Sequence, residues 1–211
     1  MKREFDDIDE IQQKIQTIPD ELPILPVRDA VIFPNAVIPL TVGRETSVKL
    51  ITEVQQGSGM LVVLTQRDKR VDSPSPADLY EIGTVSMVHR VMKTPEGNLF
   101  VIIMGVSRMR VKEFVQFEPY LRARIEVLAD DKEDETVTDF QALRRTVISQ
   151  FERIIKLSPQ LPDDLQTIVI NIEESGRLAD YIATNLPGWA NRRACPAASA
   201  RPAFRFPAGP L

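Results

Sequence analysis

Few residues of this chain could do covalent or metal chemistry. Its 211 residues include one Cys, Cys195, and one His, His89, too few for a Cys/His metal site, a Cys–His nucleophilic pair or an internal disulfide. Gly57-Ser58-Gly59 has Val62 where the third Gly of Gly-x-Gly-x-x-Gly belongs, and no Gly-x-Ser-x-Gly elbow occurs. No Gly is followed by Lys, so the loop that cradles and grips nucleotide phosphates is absent too. The triplet reads as a helix stop. His89, with Val88 and Val91 near it, reads as a structural or partly exposed strand residue. The run Asp130-Asp131-Lys132-Glu133-Asp134-Glu135 lacks the alternating ligands, central Gly and late Glu of a Ca²⁺ loop and reads as a solvated linker. The expectation is therefore no catalytic residue, no cofactor and no metal.

Five of the six Met residues, Met60, Met87, Met92, Met104 and Met109, lie in one β-rich region, where flexible thioethers could fill a core or line an adaptable surface. The surrounding strands are apolar on both parities, as buried strands are, which favours packing.

Charge and hydropathy narrow the partners. The net charge is -4, and the last 25 residues, from Pro187, hold four Arg and no acid. Nucleic acid, which needs clustered Lys and Arg, is thus a poor match for the acidic remainder. The longest apolar run is about seven residues, Phe100 to Val106, against the roughly 18 needed to span a bilayer. The N-terminus turns acidic at once, unlike a secretory signal, so no membrane association and a cytoplasmic location are expected.

The elements follow from periodicity. Ile8, Ile11, Ile15 and Ile18 form one helical stripe in an N-terminal extension over 1–21. A β-rich lobe is expected over 22–129. There Pro23, Pro26, Pro34 and Pro39 assign the first strands to an edge or bend, and a helix over Thr46–Gln55 ends at the Gly triplet. A β run from Met60 to Thr65 precedes a loop, Gln66 to Ala77, long enough to be mobile. Strands Ile82–Met92, Leu99–Ser107, Met109–Phe114 and Leu121–Leu128 then form a meander, with Pro95 and Gly97 shaping the first turn. No crossover helix interrupts it, which favours an antiparallel sheet closing into a small barrel or sandwich. A helical lobe over 130–186 is expected to contain Thr138–Leu157, with Phe140, Leu143, Val147, Phe151 and Ile154 on one face and Thr138/Gln141 as a capping box, then Asp163–Ile172 and Ser175–Asn185. The fold class is α+β. Residues 187–211 fit neither helix nor strand and read as disordered or non-native.

The run from Leu22-Pro23-Ile24-Leu25-Pro26 through Arg28-Asp29-Ala30 and Phe33-Pro34-Asn35 to Gly43-Arg44 closely resembles the opening of the N-terminal domain of Lon, the ATP-dependent protease family. Asp78 to Val85, Gly97-Asn98-Leu99, Gly105 to Val111 and Leu178 to Leu186 extend the similarity over about residues 20 to 186. The resemblance implies a PUA-like β lobe followed by a helical lobe, and a role in gathering unfolded or degron-bearing proteins. It also implies as partners the ATPase and Ser-Lys peptidase modules that follow this domain in the family, neither of which fits in this chain.

The expected function is therefore non-catalytic substrate recognition within an ATP-dependent protease, with damaged or unfolded proteins as partners and weak self-association as a further one. Phe33, Pro34, Met87 and Met92 are the candidate substrate contacts. At the matched positions, Phe33-Pro34 restricts the chain to an extended bend, Asn35 tolerates positive φ, and Arg28-Asp29 could form a local pair. Two rival expectations are an oligomerisation module and a stand-alone small-ligand domain.

Overall fold

The computed structural model describes residues 18–28, 30–95, 97–128 and 138–186. The Ile8–Ile18 stripe short of its last residue, Asp29, the acidic run and residues 187–211 lie outside them, as does the Thr138 side chain of the expected capping box.

Six strands, β1 (Glu21–Val27), β2 (Val37–Val42), β3 (Met60–Thr65), β4 (Ile82–Lys93), β5 (Leu99–Gln116) and β6 (Arg122–Val127), form one sheet in the order β2-β5-β4-β3-β1-β6. A further pairing of β6 with β5 closes it into a barrel. Every pairing is antiparallel except β1 with β3, whose parallel course requires a crossover. Helix α1 (Glu45–Gln56) lies in that crossover. It ends where its pattern predicts: the Gly57 N–H returns to the Glu53 and Val54 carbonyls, and Gly59 adopts φ 74°.

The apolar residues on both parities divide between two cores. On β3, Met60, Val62 and Leu64 face the barrel interior with Val85, Met109 and Ile125, while Leu61 and Val63 face α1 with Leu50, Ile51, Val101 and Ile103. Tyr120, buried on the α1 side, donates its hydroxyl to Glu53 of α1.

Three expectations need correction. β5 is one strand of 18 residues, not two. Arg108 looked like a break, but its charge is matched by Asp180 far along the chain. At about 3.3 Å per residue such a strand would span nearly 60 Å, and bulges against β4 and β6 bend it into the barrel wall. β2, with Pro39, stands at the end of the sheet as expected, but β1, despite Pro23 and Pro26, lies between two neighbours, Glu21 to Pro23 pairing with β6 and Ile24 to Val27 with β3. Finally, the Gln66–Ala77 loop is tied down. The buried Gln66 amide bonds the Asp68 and Val71 carbonyls and accepts from Arg44 at 2.6 Å, and Arg67 reaches the Leu79 carbonyl at 2.9 Å. Arg28 pairs with Asp72 of this loop.

Helices α2 (Thr138–Leu157), α3 (Asp164–Asn171) and α4 (Ser175–Asn185) pack around Phe151, Ile155, Leu165, Val169, Leu178 and Ile182. The stripe on α2 that meets the other helices runs through Val147, Phe151 and Ile155; of the residues expected on it, Leu143 is exposed and Ile154 is only half-buried. Arg108 of β5 and Asp180 of α4, with side chains 21% and 8% exposed, pair between barrel and helices.

Asp180→Ala strips this carboxylate from a largely buried guanidinium and should cost about 3 kcal/mol. Glu21→Ala, at the exposed pair with Arg124, should cost less than about 1 kcal/mol, both read by urea unfolding. Burial first, and the Glu53 carboxylate second, raise the Tyr120 pKa above the usual 10.0. The folded state therefore keeps this proton longer than the unfolded state. Its contribution to stability is full below pH 10 and declines as pH climbs past it. Tyr120→Phe should cost about 1 kcal/mol at neutral pH and lessen the alkaline decline.

Candidate functional site

The region where β4 and β5 extend beyond the barrel carries the site. There β2, β5 and β4 lie side by side, and among the described residues only one face of the three is covered. Ile38, Leu40, Val42, Leu99, Val101 and Ile103 turn toward α1. Their alternate neighbours form rows on the opposite face: Val37, Met104 and Met87; then Pro39, Ile102 and Arg90; then Thr41, Phe100 and Met92. Burial falls along this face. Met87, at the barrel mouth, is 8% exposed, whereas Met92 is 43% and Val37 60% exposed. Phe100, Ile102 and Met104 are half-buried and belong to neither core. The result is a sheet face whose apolar residues leave the barrel interior and continue into solvent. Arg90 is the one charged side chain in the three rows. His89 falls at a bulge between Val88 and Arg90, exposed at the margin of this face.

The edge strand of this face is placed by the Phe33–Ala36 turn. The Ala36 N–H returns to the Phe33 carbonyl at 3.2 Å, with Pro34 and then Asn35, φ 62°, between them, as in a type II turn. The turn is fixed to β5 twice: Asn35 donates to the Gly105 carbonyl and Gly105 donates to the Ala36 carbonyl, each at 2.9 Å. A Cβ on Gly105 would come within 2.1 Å of the Phe33 carbonyl oxygen, so glycine is required. At the other end the β4–β5 hairpin closes as its residues predict, with Gly97 at φ 86° and the Thr94 N–H on the Asn98 carbonyl at 2.8 Å.

The four candidate contacts are thereby separated. Phe33, 4% exposed, and Pro34 are buried in the turn that supports β2, while Met87 and Met92 share the open face, one inside the barrel mouth and one in solvent. Val37, Phe100, Ile102 and Met104 complete the face and were not singled out from sequence as contacts. The both-parity apolar pattern of Phe100 to Val106 reads as full burial, and nothing local says that one face lacks a cover. Among the described residues, no cluster of His, Cys, Asp or Glu could hold a metal ion, and no helix is long and apolar enough to cross a membrane.

The family model for the ATP-dependent protease La (LON) substrate-binding domain matches residues 21–192, six residues past Leu186, where sequence analysis placed the end of the helical lobe. The chain is 48% identical over 166 residues to the Lon protease of Koribacter versatilis and 39% identical over 170 residues to that of Dictyoglomus thermophilum. These matches cover 79% and 81% of this chain but 20% and 21% of those proteins, so the chain spans about a fifth of the length of the curated relatives it matches. Among solved structures, the N-terminal domain of a Mycobacterium avium complex Lon protease aligns at a TM-score of 0.49 and 15% identity, covering 82% of this chain and 100% of that one.

Gly105→Ala should destabilise the β lobe by about 2 to 3 kcal/mol, since the clash is with backbone that cannot swing aside. Denaturant unfolding would read the loss, and the exchange of the Asn35 amide should quicken as the turn lifts from β5.

Proposed function

This chain belongs to the family of Lon substrate-binding domains, and from that membership we propose that it captures unfolded or degron-bearing proteins on the open face of β2, β5 and β4. The observation that carries the reading is the exposed apolar face itself. It is continuous with the barrel core, includes adaptable Met104 and Met92, and is uncovered among the described residues. Unfolded chains display the apolar side chains such a face would hold, and native proteins hide them. On this reading Met92, Ile102 and Phe100 touch the client, while Phe33 and Pro34 hold the face in place.

Weak binding suits the task. A client passed onward must be released, and each added 1.4 kcal/mol slows release about tenfold at equal on-rate. In a longer parent, ATPase and Ser-Lys peptidase modules would receive the client; the Gly-Lys phosphate loop that grips a nucleotide does not occur in this sequence. The proposed setting is the cytoplasm. Self-association is the second reading, favoured by Leu157, Ile168 and Ile170, which are exposed at the end of α2 and on α3.

The test is a titration of the 211-residue chain with one labelled protein, native and in a reduced, carboxymethylated form that cannot refold. Saturable binding of the unfolded form alone is expected. Ile102→Lys should weaken it about fivefold or more without altering the melting temperature, because its half-buried side chain can extend to solvent. Equal binding of both forms, or of neither, would overturn the reading. Sedimentation at several concentrations would then measure self-association in its place.

A further inference from the structure

Among the described residues, strand β2 is bonded on one side only, to β5, and stands at the end of the sheet order. Which of its backbone groups face outward follows from two facts. The Ala36 carbonyl accepts from the Gly105 N–H at 2.9 Å, and Pro39 has no N–H to give. In an antiparallel ladder alternate residues turn to the same neighbour. Ile38, Leu40 and Val42 therefore continue the bonds to β5, while Val37, Pro39 and Thr41 turn away. The free edge offers two donors, the N–H groups of Val37 and Thr41, and three acceptors, the carbonyls of Val37, Pro39 and Thr41. All three residues are exposed.

Donors and acceptors at two-residue spacing match the backbone of another extended polypeptide. The arrangement disfavours the symmetric self-pairing centred on Pro39. A second copy of β2 laid antiparallel with Pro39 opposite Pro39 would bring two carbonyls together with no donor between them. A strand from another sequence brings its own N–H to the Pro39 carbonyl and satisfies the whole edge. We propose that the outer edge of β2 takes an extended segment of an unfolded polypeptide as an added strand, whose alternate side chains prolong the apolar face beyond Val37, Pro39 and Thr41. This names the binding mode for the client reading above and rests on it.

The test is amide exchange of the full 211-residue chain, with and without the reduced, carboxymethylated protein. The Val37 and Thr41 amides should slow at least tenfold in its presence, while Ile38 and Leu40, already bonded to β5, change little. Thr41→Pro removes one outward donor, as Pro39 already does, and should weaken binding about fivefold with the fold intact. If that variant fails to fold, exchange in the unaltered chain decides. Binding that Ile102→Lys still weakens, with Val37 and Thr41 exchanging freely, would overturn strand addition and leave the client reading standing. Val37 and Thr41 amides that slow with protein concentration alone, and not with client, would assign the edge to a second copy and overturn it as well. Absence of saturable client binding would overturn both.

Discussion

The two ends of β5 have different surroundings, and the rest of the β lobe is arranged around that difference. In its second half the strand passes from β4 to β6, pairing with both at Met109 and Arg110, and closes the barrel. In its first half it lies between β2 and β4, with α1 on one face and nothing described on the other. Side chains alternate at every step, so a strand that leaves a closed barrel carries inward-type residues into the open. Met87 and Met92 sit on one strand and one face, five residues apart, and differ because the barrel ends between them.

Local support keeps such a face from collapsing. The Phe33–Ala36 turn presses its backbone onto Gly105, α1 fills the opposite side, and the hairpin at Gly97 fixes the far rim. None of these groups lies on the open face itself. They set the spacing of the rows, and mutations in them would act through the position of β2. Buried support and exposed surface thus lie within four positions of each other: Phe33 is buried in the turn, and Val37 is exposed on the sheet face.

Features written in short stretches of sequence were legible. The Pro95–Gly97 turn, the α1 stop at Gly57 and Gly59, positive φ at Asn35 and the three later helices all follow from groups within a few residues of each other. Features set by distant partners were not. Arg108 looked like a strand break because its carboxylate is 72 residues away, and the prolines of β1 suggested an edge because the change of neighbour at Ile24 cannot be seen locally. The open face was half legible. Met92 was identifiable by type, but that Phe100 and Ile102 face solvent depends on where α1 packs, and their alternation is that of a doubly buried strand.

The ion pairs of this chain will not respond alike to ionic strength. Arg28–Asp72, Arg70–Asp68 and the two carboxylates on Arg124 lie where mobile ions reach them, and at physiological salt the screening length is only about 8 Å. Arg108–Asp180 is shielded by the protein on most sides. Raising salt would therefore loosen the Gln66–Ala77 loop and the barrel surface before it separated barrel from helices. The internal geometry of the molecule is thus buffered against the ionic conditions that vary most around it.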